Sequence, residues 1–119
     1  MISLTIPWEA LASDNKRHAR RGGRGHGWAY KAAREAIGYC GLEQCPEPFT
    51  EPVWVRMDFH QPDNRRRDCS NFLKVIGDGL NKIVWQDDSL IKDMGYLVHP
   101  PDGTPARVDI RVGKGRHKE

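Results

Sequence analysis

The sequence predicts a two-layer α/β sandwich: a mixed four-stranded sheet with helices on one face, in the order strand, helix, strand, helix, strand, strand. Three observations carry this. Val53, Val55, Met57 and Phe59 alternate with Trp54, Arg56, Asp58 and His60, the period-two pattern of a half-buried strand. Ala106, Val108, Ile110 and Val112 repeat it against Arg107, Asp109 and Arg111. Two stretches between such strands return to helical spacing. Alternation, rather than unbroken apolar runs, implies a sheet with one face covered and one face wet.

Taken in order, Ile2, Leu4 and Ile6 alternate with Ser3 and Thr5 and stop at Pro7, which predicts the first strand. Residues from about 9 to 27 show no apolar period and gather Gly22, Gly23, Gly25 and Gly27 among basic side chains, which predicts a long loop. From Trp28 to Tyr39, Ala32, Ala36 and Cys40 fall at helical spacing beside Ala33 and Ile37, with Gly41 as the stop. Cys45-Pro46-Glu47-Pro48 then breaks the chain ahead of the Val53 strand.

After Pro62-Asp63-Asn64, Asp68 is placed to cap a second helix running to about Val84. On it Leu73, Ile76, Leu80 and Ile83 share one face, and Asn71, Lys74, Asp78 and Lys82 the other. Gly77 and Gly79 weaken such a helix by about 1 kcal/mol each, which predicts close packing at both. Met94, Tyr96 and Val98 alternate, Pro100-Pro101-Asp102-Gly103 turns, and the final strand follows, so the last two strands read as a hairpin. A flexible basic tail is expected over about 113–119. The 119 residues suit a single domain, 1–119, with a modest core that a partner subunit would help.

The apolar runs are far shorter than the ~20 residues that cross a bilayer, and Met1 to Ile6 lacks the form of a signal peptide. A cytoplasmic protein without membrane contact is expected. Cys40, Cys45 and Cys69 are odd in number and lack CxxC spacing, which excludes a disulfide framework and a zinc finger. Net charge is only +3, but the basic residues cluster. Lys16, Arg17, Arg20, Arg21 and Arg24 crowd the early loop and Arg65, Arg66 and Arg67 form a triplet. Local clusters of this kind are what a phosphate backbone responds to.

Hydrolysis of a phosphodiester needs an activated water and relief of charge on the phosphoryl oxygens, both of which carboxylates holding Mg²⁺ supply. Asp68 at the start of the second helix and Asp87-Asp88 beyond its end are the candidate carboxylates. The arginine triplet directly before Asp68 would bring DNA phosphates to them. Lys74 lies on the polar face, placed either to reach the scissile phosphate or to pair with Asp78 four residues on. A helix from Asp68 to Val84 would be about 24 Å long, so the acids meet only if the fold or a second subunit joins them.

These residues resemble the RusA-like Holliday junction resolvases, a bacterial and phage family. The resemblance rests on Pro62-Asp63-Asn64-Arg65-Arg66-Arg67-Asp68-Cys69-Ser70-Asn71, then Leu73-Lys74, Asp78-Gly79-Leu80-Asn81, Val84-Trp85 and Asp87-Asp88-Ser89. Ile6-Pro7-Trp8 and Ser13-Asp14-Asn15-Lys16-Arg17 resemble the family's opening strand and basic loop. The family implies a homodimer that binds four-way junction DNA and makes paired, symmetric nicks with Mg²⁺, or Mn²⁺ as substitute, in a bacterial or phage-infected cell, with no small-molecule cofactor. By position it implies Asp68 and Asp88 as catalytic metal ligands with Asp87 adjacent, and Lys74 as the essential lysine. It also implies DNA contacts from Arg65 to Arg67, Asn71 and the early loop, Asn15 and Arg24 included. One position departs: the family's usual Asp-x-Asp-Asn is here Asp68-Cys69-Ser70-Asn71. Ser70 can meet a metal only as a weak neutral ligand or through water.

Two other functions fit the same residues. A non-catalytic branched-DNA-binding protein would use the arginines alone, and a metal nuclease of different specificity would act on flaps or forks.

Overall fold

A computed structural model describes the backbone of residues 1–12 and 23–117, with side chains for 1–11 and 30–117. The chain order is β1 (Ile2–Pro7), α1 (Trp8–Ala12), α2 (Gly23–Gln44), β2 (Val53–His60), a 3-10 turn at Cys69–Phe72, α3 (Leu73–Leu80), a second 3-10 turn at Asp88–Leu90, β3 (Ile91–His99) and β4 (Arg107–Lys114). The α/β class and the mixed four-stranded sheet are as the sequence predicts. The sheet runs β1-β4-β2-β3, antiparallel except for the parallel pair β2–β3.

The expected terminal hairpin does not form, because β2 lies between β3 and β4. Alternation fixes which face a strand buries and says nothing about its neighbour. β4 pairs β2 along its whole length, from Val53 opposite Lys114 to His60 opposite Arg107. This middle position buries Val108, Ile110 and Val112 completely. β3 instead crosses over to run parallel to β2, with one slip of register at Lys92.

Of the expected loop over 9–27, residues 9–12 and 23–27 are helical, and 13–22 lie outside the described residues. Trp8 and Leu11, one helical turn apart, are both buried, and this fixes α1. Trp8 meets Phe72 and Phe59 edge-on, at ring separations of 5.6 and 6.4 Å, and is a core residue. α2 begins at Gly23 and continues through Gly41 to Gln44. Gly41 does not end the helix; it is a contact point, where an added Cβ would lie 2.8 Å from Leu80 Cδ2. At the other end of the chain, β4 runs to Lys114, and the His117 ring packs edge-on against Trp54.

α3 is half the expected length. It stops at Leu80 because Asn81 turns extended and Lys82 adopts φ 70°, in the left-handed region. The turn is closed by the Lys82 N–H donating to the Trp85 carbonyl at 2.7 Å, and Val84 and Trp85 enter the core fully buried. Three large apolar residues at 83–85 thus gain more from reaching the core off the helix axis than from extending a helix weakened by two glycines.

Close packing was expected at Gly77 and Gly79, and only Gly79 has it. A Cβ there would lie 2.8 Å from Ile37 Cγ2 and 2.9 Å from the Arg34 carbonyl of α2, whereas nothing lies within 4 Å of one at Gly77. Gly79→Ala is therefore expected to destabilise by about 1–3 kcal/mol through overpacking. Gly77→Ala is expected to stabilise by roughly 0.5–1 kcal/mol through helix propensity. Urea midpoints of the two variants check both signs.

The helices cover one face of the sheet, and Ile37, Ile76, Leu80, Val55, Phe59 and Ile110 belong to a single core cluster. The opposite face is polar and laced with ion pairs. Arg56 meets Asp93 at 2.9 Å, His99 meets Asp58 at 2.7 Å, and His60 meets Asp109 at 3.3 Å, with the two imidazole rings stacked 4.7 Å apart.

Candidate active site

Asp68 caps the Cys69–Phe72 turn rather than a long helix. Its Oδ1 accepts the Ser70 backbone N–H at 3.1 Å and the Ser70 hydroxyl in a short hydrogen bond. Ser70, expected as a weak or water-mediated metal ligand, thus has its proton committed to orienting Asp68. Asp87 repeats the device at the second turn, with Oδ2 accepting from the Ser89 N–H at 3.0 Å and from the Ser89 hydroxyl. The Ser89 hydroxyl, then its N–H, hold the Asp87 carboxyl below the usual carboxylate range. Asp88 is held differently: its Oδ1 accepts the indole N–H of fully buried Trp85 at 3.1 Å.

The three acids share two properties. Each is exposed, and each has one carboxylate oxygen fixed by the chain while the other makes no hydrogen bond among the described residues. None has a basic partner within 4.0 Å among those residues, whereas Asp58, Asp63, Asp78, Asp93 and Asp109 all do. Preorganised, unneutralised oxygen donors are what a hard divalent cation requires. No group of three or more potential ligands converges among the described residues. Asp68, Asp87 and Asp88 therefore do not form a three-ligand cluster within one chain, and each offers a free oxygen that could serve a divalent cation whose shell water and phosphate complete. α3 itself, eight residues long, spans roughly 12 Å, half the length expected of the second helix.

Lys74 stands on α3 with its Nζ 3.0 Å from Asp78 Oδ2 and 3.5 Å from the Tyr30 hydroxyl, which itself donates to the same Asp78 oxygen. Its side chain is 78 % exposed. Hydrogen bonds to Asp78 and then Tyr30 raise the Lys74 pKa, so the group is a cation at neutral pH and suited to charge relief, not to proton abstraction. The sequence found the Lys74–Asp78 spacing but missed Tyr30, whose place 44 residues upstream only the packing of α2 on α3 reveals.

Asp78 is held below its ordinary pKa, first by the Tyr30 hydroxyl and then by Lys74. A depressed folded-state value adds stability that is present above the unfolded carboxylate pKa of about 3.9. That stability is lost as pH falls through the lower folded value. Urea midpoints of wild type and Asp78→Asn should therefore differ at about pH 6 and converge in strong acid.

The arginine triplet divides. Arg67 is tied into the protein, 2.8 Å from Asp63 Oδ1 and 3.3 Å from Gln61 Oε1, with its guanidinium over the Trp8 ring. Arg65 and Arg66 are exposed, and their side chains make no ion pair among the described residues. Asn71 is exposed in the same turn, its N–H donating to the Asp68 carbonyl at 3.1 Å. Asn15, Lys16, Arg17, Arg20 and Arg21 lie outside the described residues, as does the side chain of Arg24.

Comparison with known proteins gives the family. Residues 7–113 match the family described as Endodeoxyribonuclease RusA, a span that includes every acid above. The chain is 34% identical over 108 residues to proteins named crossover junction endodeoxyribonuclease RusA from Escherichia coli strain K12 and Shigella sonnei, covering 82% of each chain. It is likewise 34% identical over 104 residues to the protein of that name from Enterobacteria phage 82, with the same coverage. A match over nearly the whole fold, joined to the carboxylates at its two 3-10 turns, shows that the chain belongs to the RusA endodeoxyribonuclease family.

Proposed function

We propose that this protein is a Mg²⁺-dependent endonuclease, with Mn²⁺ as a substitute, that resolves four-way DNA junctions by paired symmetric nicks as a cytoplasmic homodimer in a bacterial or phage-infected cell. The observation that carries the reading is the trio Asp68, Asp87 and Asp88, each exposed, oriented by a hydrogen bond and unneutralised. Asp68 and Asp88 hold the ion and Asp87 assists. The ion, when bound, supplies an activated water and relief of charge at the phosphoryl oxygens.

The chain's own residues do the rest. Ser70, Ser89 and Trp85 fix the carboxylates so that little reorganisation accompanies metal binding. Lys74 offers a permanent positive charge on the exposed face of α3. Arg65, Arg66, Asn71 and the loop residues Asn15, Lys16, Arg17, Arg20, Arg21 and Arg24 contact the sugar–phosphate backbone. Arg67 shapes the Gln61–Asp68 segment and reaches DNA only as part of that surface.

A labelled synthetic four-way junction, mapped on all four strands in Mg²⁺, Mn²⁺ and EDTA, tests the reading. Two nicks placed symmetrically across the junction, absent in EDTA and on linear duplex, are the expected result. Ser70 in place of the family's carboxylate favours one rival, a branched-DNA-binding protein without activity. Salt-sensitive binding with no cleavage in either metal would establish that rival, and preferential cutting of flaps or forks would establish a different nuclease.

A further inference from the structure

The sheet has two edges, and they are treated differently. On β1 the outward groups of Thr5 are occupied: its N–H donates to Gln44 Oε1 and its carbonyl accepts from Gln44 Nε2, both at 2.8 Å. One glutamine of α2 thus stands in for a neighbouring strand. β3, the other edge, has no such cover among the described residues. The His99 carbonyl accepts the Gln61 N–H at 3.2 Å, so His99 faces β2. By alternation Met94, Tyr96 and Val98 turn their N–H and C=O groups to the open edge, where no hydrogen bond reaches them among the described residues. The side chains of these three residues lie on the core side of the sheet, opposite Val55, Met57 and Phe59. Yet they are 39 %, 39 % and 42 % exposed, because the helices do not extend over β3. An unpaired edge and an uncovered apolar stripe coincide on one strand.

We propose that β3 is the surface on which a second copy of this chain docks, pairing antiparallel with its own β3 about a two-fold axis at Tyr96. The proposal deepens the homodimer reading above and rests on it for the partner's identity. The strand is complementary to itself in this register. On the core side Met94 faces Val98 of the second copy and Tyr96 faces Tyr96, continuing the apolar layer across the axis. On the polar side Asp93 faces His99, a carboxylate opposite a ring N–H donor, and Gly95 leaves room for Leu97, itself 64 % exposed. Because Met94, Tyr96 and Val98 all present outward groups, the three pairs form the hydrogen-bonded positions of an antiparallel ladder. Pairing about Gly95 instead would set Asp93 against Leu97 and Lys92 against Val98, placing charge opposite hydrocarbon on both faces. A sheet continuous through two subunits is also the two-fold arrangement that a two-fold substrate calls for.

Sedimentation of wild type and Val98→Lys, with circular dichroism to confirm the fold, tests the surface. Val98 is partly exposed in one subunit, so lysine there is compatible with folding but sets a charge into the shared apolar layer. The expected result is a wild-type dimer and a variant whose dimer dissociates at least ~100-fold more readily. A second variant fixes the register. Tyr96→Cys places two sulfurs at Cα atoms about 5.5 Å apart, within disulfide range, and should yield a covalent dimer on mild oxidation. Leu97→Cys, at roughly 8 Å from its copy, should not, nor should wild type. A wild-type monomer at tens of micromolar would overturn the homodimer reading itself. A dimer unchanged in Val98→Lys, or no Tyr96→Cys cross-link in a protein that sediments as a dimer, overturns the β3 interface and leaves the dimer standing.

Discussion

Replacing Asp68 or Asp88 with asparagine is expected to lower junction cleavage by at least ~10³-fold while leaving junction binding within a few fold of wild type. Asparagine keeps the shape and an accepting oxygen. The new amide of Asp68→Asn could still receive the Ser70 N–H, and that of Asp88→Asn the Trp85 indole N–H. The 3-10 turns should therefore survive. What is lost is the charge that holds a divalent cation, and with it several kcal/mol of transition-state stabilisation, each ~1.4 kcal/mol being tenfold in rate. Asp87→Asn should cost less, because in the proposed site Asp87 assists while Asp68 and Asp88 hold the ion. Single-turnover cleavage and gel-shift titration on the same labelled junction separate the two effects. Wild-type cleavage by Asp68→Asn would remove that residue from the site.

Trp85→Phe is expected to cost roughly 10- to 100-fold in metal affinity, although Trp85 touches neither metal nor DNA in this reading. Its indole is completely buried beneath the Asn81–Trp85 turn, and its N–H ends on Asp88 Oδ1. Phenylalanine fills most of the space but cannot donate, so Asp88 becomes free to rotate. A lower melting temperature would follow from the lost volume alone. The result specific to positioning is a higher Mg²⁺ concentration at half-maximal cleavage, with near-normal rate at saturating metal. An unchanged metal midpoint would reduce Trp85 to a packing residue.

Local pattern carried much of the fold, and its failures share a cause. The strands at Ile2–Pro7, Val53–His60 and Arg107–Lys114 were legible because each alternates against a covered face. The order of strands was not, since β4 inserts between β1 and β2 through pairings of residues distant in the chain, such as Val55 with Val112. The second helix was over-extended for a related reason: Leu80 and Ile83 do share a helical face, but Lys82 at positive φ breaks the helix between them. In the site, the positions of Asp68, Asp87 and Asp88 were legible from motif. Their orienting partners were only half so. Ser70 read as a poor ligand where a carboxylate is usual, and the structure shows its hydroxyl spent on Asp68. Ser89 and Trp85 entered only as members of the family motif, without a role, because an i+2 hydroxyl and an indole N–H are ordinary until a fold aims them.

The amide of Gln44 has a consequence for how large an assembly can become. A sheet open at both sides can add copies without limit, each new subunit offering the next a fresh template, which is the geometry of a fibre. Here one side is already occupied from within the chain at Thr5, where Gln44 takes both outward backbone groups. Association through the remaining side uses itself up: once two copies meet, neither has a second strand to offer. If β3 docks as proposed, a single side chain at the end of α2 would act as a chain terminator and make two the natural stopping number.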